Sequence, residues 1–311
     1  MRYNEICYLT ALEIRNQIRN RGLSVVEVME AHLNQIELVN STVNAIITIH
    51  PDRAMDAAMA ADAVIAKGGY MGPLHGLPTA VKDLTPTKGI RTTYGSPIFQ
   101  DNIPDEDAII VERTKNAGAI VIGKTNTPEF GAGANTFNDV FGITRNPWNT
   151  ALSCAGSSGG SAVALATGMA WIASGSDLGG SLRNPASFCG IVGFRPSIGT
   201  IPTDPGDMAF YRLAVEGPMA RNVGDVAMLF DAMIGHHPRD PKSLHATAES
   251  FESAADARTP PKRIAFSRDL GVTPVEAEIA SICEQAAAKF NAMGIPVDET
   301  HPDFSGLQHV F

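Results

Sequence analysis

The chain has 311 residues, 44% hydrophobic, 18% charged and 6% aromatic, and a formal net charge of −9. That profile fits a soluble globular protein with a sizeable core; the acidic balance, without a long Lys/Arg run, argues against nucleic acid or an anionic membrane as partner. Cys7, Cys154, Cys189 and Cys283 lie far apart without a CxxC pair and read as reduced thiols rather than a disulfide frame or a zinc site; the absence of a signal-peptide pattern or membrane-length apolar run makes the cytoplasm the default expectation.

The first third is predicted to be helical. Thr10-Ala-Leu-Glu13 and Ser24-Val-Val-Glu27 both fit the capping box, in which a hydroxyl and a carboxylate satisfy the free N–H groups opening a helix. Leu12, Ile14 and Ile18 follow the first cap, and Val25, Val28, Met29, Leu33 and Ile36 follow the second at helical spacing. A third, alanine-rich helix starts at Pro51 and stops at Gly68-Gly69. The pattern then alternates: a strand over 77–81, a helix over 108–117, a strand over 119–122, a helix over 159–169 and a strand beginning at 171–173. A helix over 223–234, a strand over 263–266, a helix over 274–293 and a strand over 295–297 follow. Strands separated by helices imply an α/β sandwich with helices on both faces. The stretch 235–262 is polar, Pro-rich and unpatterned, and reads as a surface excursion.

Two motifs invite misreading. Residues Gly118 to Thr125 satisfy the P-loop pattern, but such a loop needs its strand before the first glycine and a helix after the Lys-Thr. Here the strand lies inside the pattern, and Asn126-Thr127-Pro128 follows. A core strand leaving through a turn is the better reading. Gly156-Ser157-Ser158-Gly159-Gly160 also matches GxSxG, the nucleophile elbow of α/β-hydrolases, with Ser158 at its centre. That elbow requires a strand just before it and an acid and a histidine downstream. Asn146 to Thr150 is loop-like, and His236, His237 and His245 sit in the polar excursion without metal-ligand spacing. An esterase using Ser158 is therefore a minor alternative.

A third constellation carries more. Ser153 to Ser161 forms one Gly/Ser cluster, and Gly175-Ser176-Asp177-Leu178-Gly179-Gly180-Ser181-Leu182-Arg183 forms another. Upstream, Gly72 to Asp83 ends an apolar run in Val81-Lys82-Asp83; downstream lie Phe188 to Ser197 and Glu216-Gly217-Pro218-Met219-Ala220-Arg221. Together, in this order, these segments resemble the amidase-signature family, which includes bacterial amidases, fatty-acid amide hydrolase and the amide-cleaving subunit of tRNA-dependent amidotransferases. The resemblance implies an α/β fold with a mixed β-sheet core covered by helices on both faces. It also implies one domain over 1–311, with N-terminal helices over 10–68, a catalytic core over 72–234, the excursion over 235–262 and an incomplete C-terminal part over 263–311.

It further implies hydrolysis of a carbon–nitrogen bond in a small or medium amide. Ser181 would be the nucleophile and Ser157, after a cis peptide bond, the bridging serine. Lys82 would be the base, and the N–H groups of Leu178, Gly179 and Gly180 would form the oxyanion hole with that of Ser181. The chemistry is coherent. A lysine that accepts a proton near pH 7 must be neutral, whereas a free one titrates at about 10.4, and burial in an apolar strand supplies that shift. Glycines let the backbone curl around a small anion. No metal or organic cofactor is required, and a homodimer is compatible with the sequence. Departures from the family are Ala155 for glycine, Ser176 for the frequent threonine and Arg195 for lysine, none expected to touch the relay. The chain is also shorter than such enzymes, as a fragment or a shortened form would be. Alternatives are a glutamine-hydrolysing amidotransferase component, against which Asn126-Thr127-Pro128 counts, and a non-catalytic remnant. Met208, Phe210 and Tyr211 are candidates to line an acyl pocket.

Overall fold

The computed structural model describes residues 3–206, 209–247 and 249–310. Residues up to Asp256 form one compact unit and those from Ala257 another. The first opens with helices α1 (Tyr3–Tyr8), α2 (Ala11–Arg19) and α3 (Val25–Val43). Both expected capping boxes are formed. The Glu13 and Glu27 backbone N–H groups donate to the Thr10 and Ser24 hydroxyls over 3.1 Å, and the carboxylates reach back to within 2.8 Å of the cap N–H groups. Strand β1 (Ile46–Ile49) and helix α4 (Pro51–Ala66) follow, the latter with proline at its first position, where no amide hydrogen is needed.

The core is a six-stranded sheet. β2 (Pro78–Lys82) runs parallel to β3 (Ile120–Thr125), which follows helix α5 (Ile109–Asn116). A hairpin of two-residue strands, β4 (Phe137–Asn138) with β5 (Gly142–Ile143), leads to helix α6 (Gly159–Ala166) and strand β6 (Ile172–Asp177). Helix α7 (Arg183–Cys189) precedes β7 (Val192–Gly193) and β8 (Val215–Ala220), and α8 (Val223–Met233) closes the set. The strand order is β1-β3-β2-β6-β8-β7, parallel at its centre and antiparallel at β1–β3, β6–β8 and β8–β7. The sheet is therefore mixed, as expected.

Helix α6 packs across β1, β2, β3, β6 and β8, while α8 packs on β6, β7 and β8, and α3 and α4 pack on β2 and β3 respectively. The small residues of α6 explain how it lies so close to the sheet. A Cβ at Gly160 would stand 2.3 Å from the Asn126 amide nitrogen. Glycine is required there by contact, not by backbone conformation.

Several elements escape the sequence pattern. β3 continues to Thr125 instead of ending at 122, so Gly123 and Lys124 lie within a strand. β8 is a strand despite Pro218, which cannot donate to the ladder; Ser174 stands opposite Pro218, and its carbonyl accepts from the Ser161 hydroxyl at 2.9 Å. Within the expected excursion, α9 (Phe251–Ala257) forms, and Phe251 packs against Phe230 with ring centroids 4.5 Å apart. In the second unit, β9 (Ile264–Phe266) pairs parallel with β10 (Val297–Glu299); α10 (Ala277–Ala292) lies between them in the chain and α11 (Leu307–Val310) follows. Ala280 and Ile295 are its buried hydrophobic residues among those described.

Candidate active site

Every residue of β2 is buried, and Lys82, its last, is 0% exposed. The Lys82 N–H donates to the Ser174 hydroxyl on neighbouring β6 at 3.3 Å. At the other end of the side chain, Nζ lies 2.7 Å from Ser157 Oγ, 2.9 Å from Ser158 Oγ and 2.9 Å from Ser176 Oγ. Removing the amine from water disfavours its charged form. Burial accordingly pushes Lys82 down to about 7, although the Glu216 and Asp177 carboxylates pull the other way.

The two Gly/Ser clusters meet above this amine. Ser157 and Ser158 precede α6, and the Gly156–Ser157 peptide bond is cis. The N-terminus of α6, where the Gly160 N–H is already taken by the Asn126 carbonyl at 3.2 Å, places positive potential beside both serines. Ser158 is fully buried; its hydroxyl donates to the Ser176 carbonyl at 3.3 Å, and its N–H donates to the Ser181 carbonyl at 3.2 Å. That last bond ties the cluster around Ser157 directly to the turn bearing Ser181.

Asp177, ending β6, organises the second turn. Its carboxylate accepts from the Gly180 N–H at 2.9 Å, the Leu182 N–H at 3.2 Å, and the guanidinium groups of Arg183 and Arg195, each at 2.9 Å. Burial opposes its ionisation, but the Arg183 hydrogen bonds and those backbone donors outweigh it and hold the carboxyl well below the usual carboxylate range. Gly180 sits at φ +119, where a side chain would also run into Asn184. Ser181 is half-buried, and its hydroxyl makes no hydrogen bond among the described residues. The N–H groups of Leu178, Gly179 and Ser181 likewise have no acceptor among them.

The structure thus brings Lys82 and Ser157 into contact and sets Ser181 one backbone bond from Ser158. It commits the Gly180 N–H to Asp177, leaving three of the four expected oxyanion donors free. Ser176 is not remote from the relay, as its conservative difference from threonine suggested, but a direct partner of the lysine. The buried position of Ser158 and its bond to Lys82 argue against the esterase alternative, whose nucleophile must stand exposed at a strand-to-helix turn. Phe210 is exposed; Tyr211 lines a cavity of about 390 Å³ with Ser176, Asp204, Glu216 and Lys242. Met208 lies outside the described residues.

Sequence reasoning also passed over two ionisable groups. Lys124 is fully buried, with Nζ in contact with the Thr85 carbonyl and 2.8 Å from Thr87 Oγ1. Glu216 is pushed up by burial, opposed chiefly by Lys82, and its Oε2 has no hydrogen-bond partner. The reversal of apolar character at both positions, a lone charge inside a strand-length run, is the signal that could have marked them. Among the described residues, no group of three His, Cys, Asp or Glu could hold a metal ion, and no helix is long and apolar enough to cross a membrane.

Comparison with known proteins agrees with this architecture. The family model described as Amidase matches residues 27–308. A glutamyl-tRNA(Gln) amidotransferase subunit of Moorella thermoacetica is 39% identical over 297 residues, covering 95% of this chain and 61% of that protein. Acylamidase of Rhodococcus erythropolis is 36% identical over 297 residues, covering 96% and 62%. The crystal structure of a bacterial aryl acylamidase of the amidase-signature enzymes family superposes with a TM-score of 0.90 at 33% identity, covering 94% of this chain and 61% of that one. The chain therefore spans about three fifths of the length of these relatives.

Proposed function

The chain belongs to the amidase family, and from that premise we propose that it hydrolyses the carbon–nitrogen bond of a small or medium amide through an acyl-serine intermediate. Ser181 attacks the carbonyl, Ser157 passes the Ser181 proton on, and Lys82 receives it. The tetrahedral oxyanion is met by the N–H groups of Leu178, Gly179 and Ser181, with the Gly180 N–H occupied in holding the turn. The proton then returns from Lys82 through Ser157 to the departing nitrogen, and water repeats the sequence on the acyl-enzyme. Each step uses groups of this chain. The logic is that of a nucleophile activated by an adjacent base, with lysine in the place of histidine.

The observation that carries this reading is the 2.7 Å contact between the fully buried Lys82 amine and Ser157. An ammonium in that position could not accept a proton; an amine pushed down to about 7 can. A fluorophosphonate probe tests it. The probe is expected to label Ser181, and labelling that survives Ser181→Ala overturns the assignment.

A second reading, glutamine hydrolysis within a tRNA-dependent amidotransferase, is favoured by the 39% identity to the Moorella thermoacetica protein. Against it stands Asn126-Thr127-Pro128, where such amidotransferase components carry a different, Met-Asp-containing segment. Glutaminase activity that appears only with a co-purifying partner would favour it; amide hydrolysis by the chain alone favours the first. We place the reaction in the cytoplasm.

A further inference from the structure

Glu216 occupies a position to which the proposed reaction gives no task. In the antiparallel pair β6–β8, Ser176 stands directly opposite Glu216, and side chains so opposed share one face of the sheet with Cβ atoms about 5 Å apart. Ser176 Oγ is 2.9 Å from Lys82 Nζ. Glu216 Oε2 is shut off from water and has no hydrogen-bond partner, although buried carboxylate oxygens are ordinarily paired. A buried acceptor, a hydroxyl and the amine are thus neighbours across adjacent strands.

Hydrogen accounting around the amine says what the acceptor is for. A neutral lysine has two N–H donors and one lone pair, and three hydroxyls surround it. The Ser158 hydroxyl spends its own proton on the Ser176 carbonyl and accepts the Ser176 backbone N–H at 3.3 Å, so its oxygen has one lone pair left for the first lysine N–H. If the Ser176 hydroxyl pointed its proton at Nζ, it would fill the lone pair and the lysine could take nothing from Ser157. If Ser176 accepts the second N–H instead, the lone pair is left facing Ser157, as a base requires. The Ser176 proton then needs another acceptor; its hydroxyl makes no further hydrogen bond among the described residues, and the unpaired carboxylate opposite it in the strand pair is that of Glu216.

We propose that Glu216 is a positioning residue: acting through the Ser176 hydroxyl, it keeps the Lys82 lone pair turned towards Ser157. The inference rests on the reading of Lys82 as the base. The charged groups acting on Lys82 are Glu216 from β8 and Asp177 from β6; those acting on Glu216 are Lys82 from β2, Asp204 from the segment before β8, and Lys124 from β3. Asp177 is already neutralised by Arg183 and Arg195. Glu216 is left as the unpaired carboxylate near the amine, and it favours the protonated lysine.

The test is an NMR titration of isotopically labelled lysine side chains in the full chain, with Lys82 assigned by its loss in Lys82→Met. Glu216→Gln is expected to lower the Lys82 midpoint by about 1 pH unit, because it removes an opposing charge, and to move that of Lys124 less. It is also expected to slow probe labelling of Ser181 about tenfold, as Ser176→Ala should, with the double variant no slower than either alone because both act through the Ser176 hydroxyl. Ser176→Thr, which keeps the hydroxyl, should retain the wild-type rate, and Glu216→Asp, which keeps the charge, should retain the wild-type midpoint even where the glutamine variant folds poorly. An unmoved Lys82 midpoint in Glu216→Gln, or losses that multiply in the double variant, overturns the inference. A chain that the probe never labels at Ser181 overturns the amidase reading instead, and the midpoint still reports on Glu216.

Discussion

Two buried lysines lie on adjacent strands of this sheet, one register position apart, and their neighbourhoods differ in one decisive respect. Lys82 ends β2 and Lys124 lies in β3, where the pairing sets Val81 against Lys124 and Lys82 against Thr125. Both are fully buried, and burial pushes both down to about 7. Around Lys82 stand three hydroxyls, of which the Ser157 proton has no other assigned acceptor. Around Lys124 stand the Thr85 carbonyl and the Thr87 hydroxyl, whose proton is committed to that same carbonyl at 3.1 Å. Asp83 adds a carboxylate that favours the charged amine. The Lys124 amine is surrounded by acceptors alone. Burial brings a lysine into the range of a base, but only a neighbour able to donate gives it a proton to take.

Substitutions should separate the two along that line. The largest effect is expected for Lys82→Met, which should slow Ser181 labelling by about a thousandfold or more, as loss of a proton-transfer group does. Ser157→Ala should come close to it, at about 10²- to 10⁴-fold. Lys124→Met should leave labelling per folded molecule near wild type and act on stability, costing about 1–3 kcal/mol because the buried Thr85 carbonyl and Thr87 hydroxyl lose their lysine donor; chemical denaturation of the two methionine variants measures the contrast. Equal loss of labelling in both would erase the distinction.

A smaller effect concerns pH. Each lysine has a folded-state value below its unfolded one, so above about 7 the unfolded chain binds more protons and stability rises with pH. The expected rise between about pH 7 and 8.5 is at most about 1.4 kcal/mol per pH unit for each amine. Higher up, the thiols of Cys7 and Cys154, both raised to about 11 by burial, act in the opposite sense. Denaturation curves across that window should flatten in Lys124→Met by the share of one amine. Smallest of all, Ser158→Ala removes one of the hydroxyls around Lys82 without removing the relay, and should slow labelling only about tenfold.

What could be seen in the sequence follows the same physics. Capping boxes at Thr10 and Ser24 are local, so four consecutive residues were enough to predict them. β2 and the Gly/Ser clusters were visible because an apolar run and close-packed glycines leave strong patterns. β8 was hidden by Pro218, whose missing N–H speaks against an inner strand until Ser161 is found serving the Ser174 carbonyl. Lys124 was hidden by its setting in Gly123-Lys124-Thr125, which resembles a loop; only pairing with β1 and β2 makes it core. The role of Ser176 and the position of Glu216 depend on cross-strand register, which a single chain does not display.

The central claim is that an uncharged Lys82 drives acylation of Ser181. Its most direct test is the rate of Ser181 labelling by a fluorophosphonate as a function of pH. The rate should fall on the acid side with a midpoint near 7, set by the Lys82 amine, and that limb should vanish with the residual rate in Lys82→Met. A midpoint near the value of a free lysine, about 10.4, or a limb that persists in Lys82→Met, would contradict it.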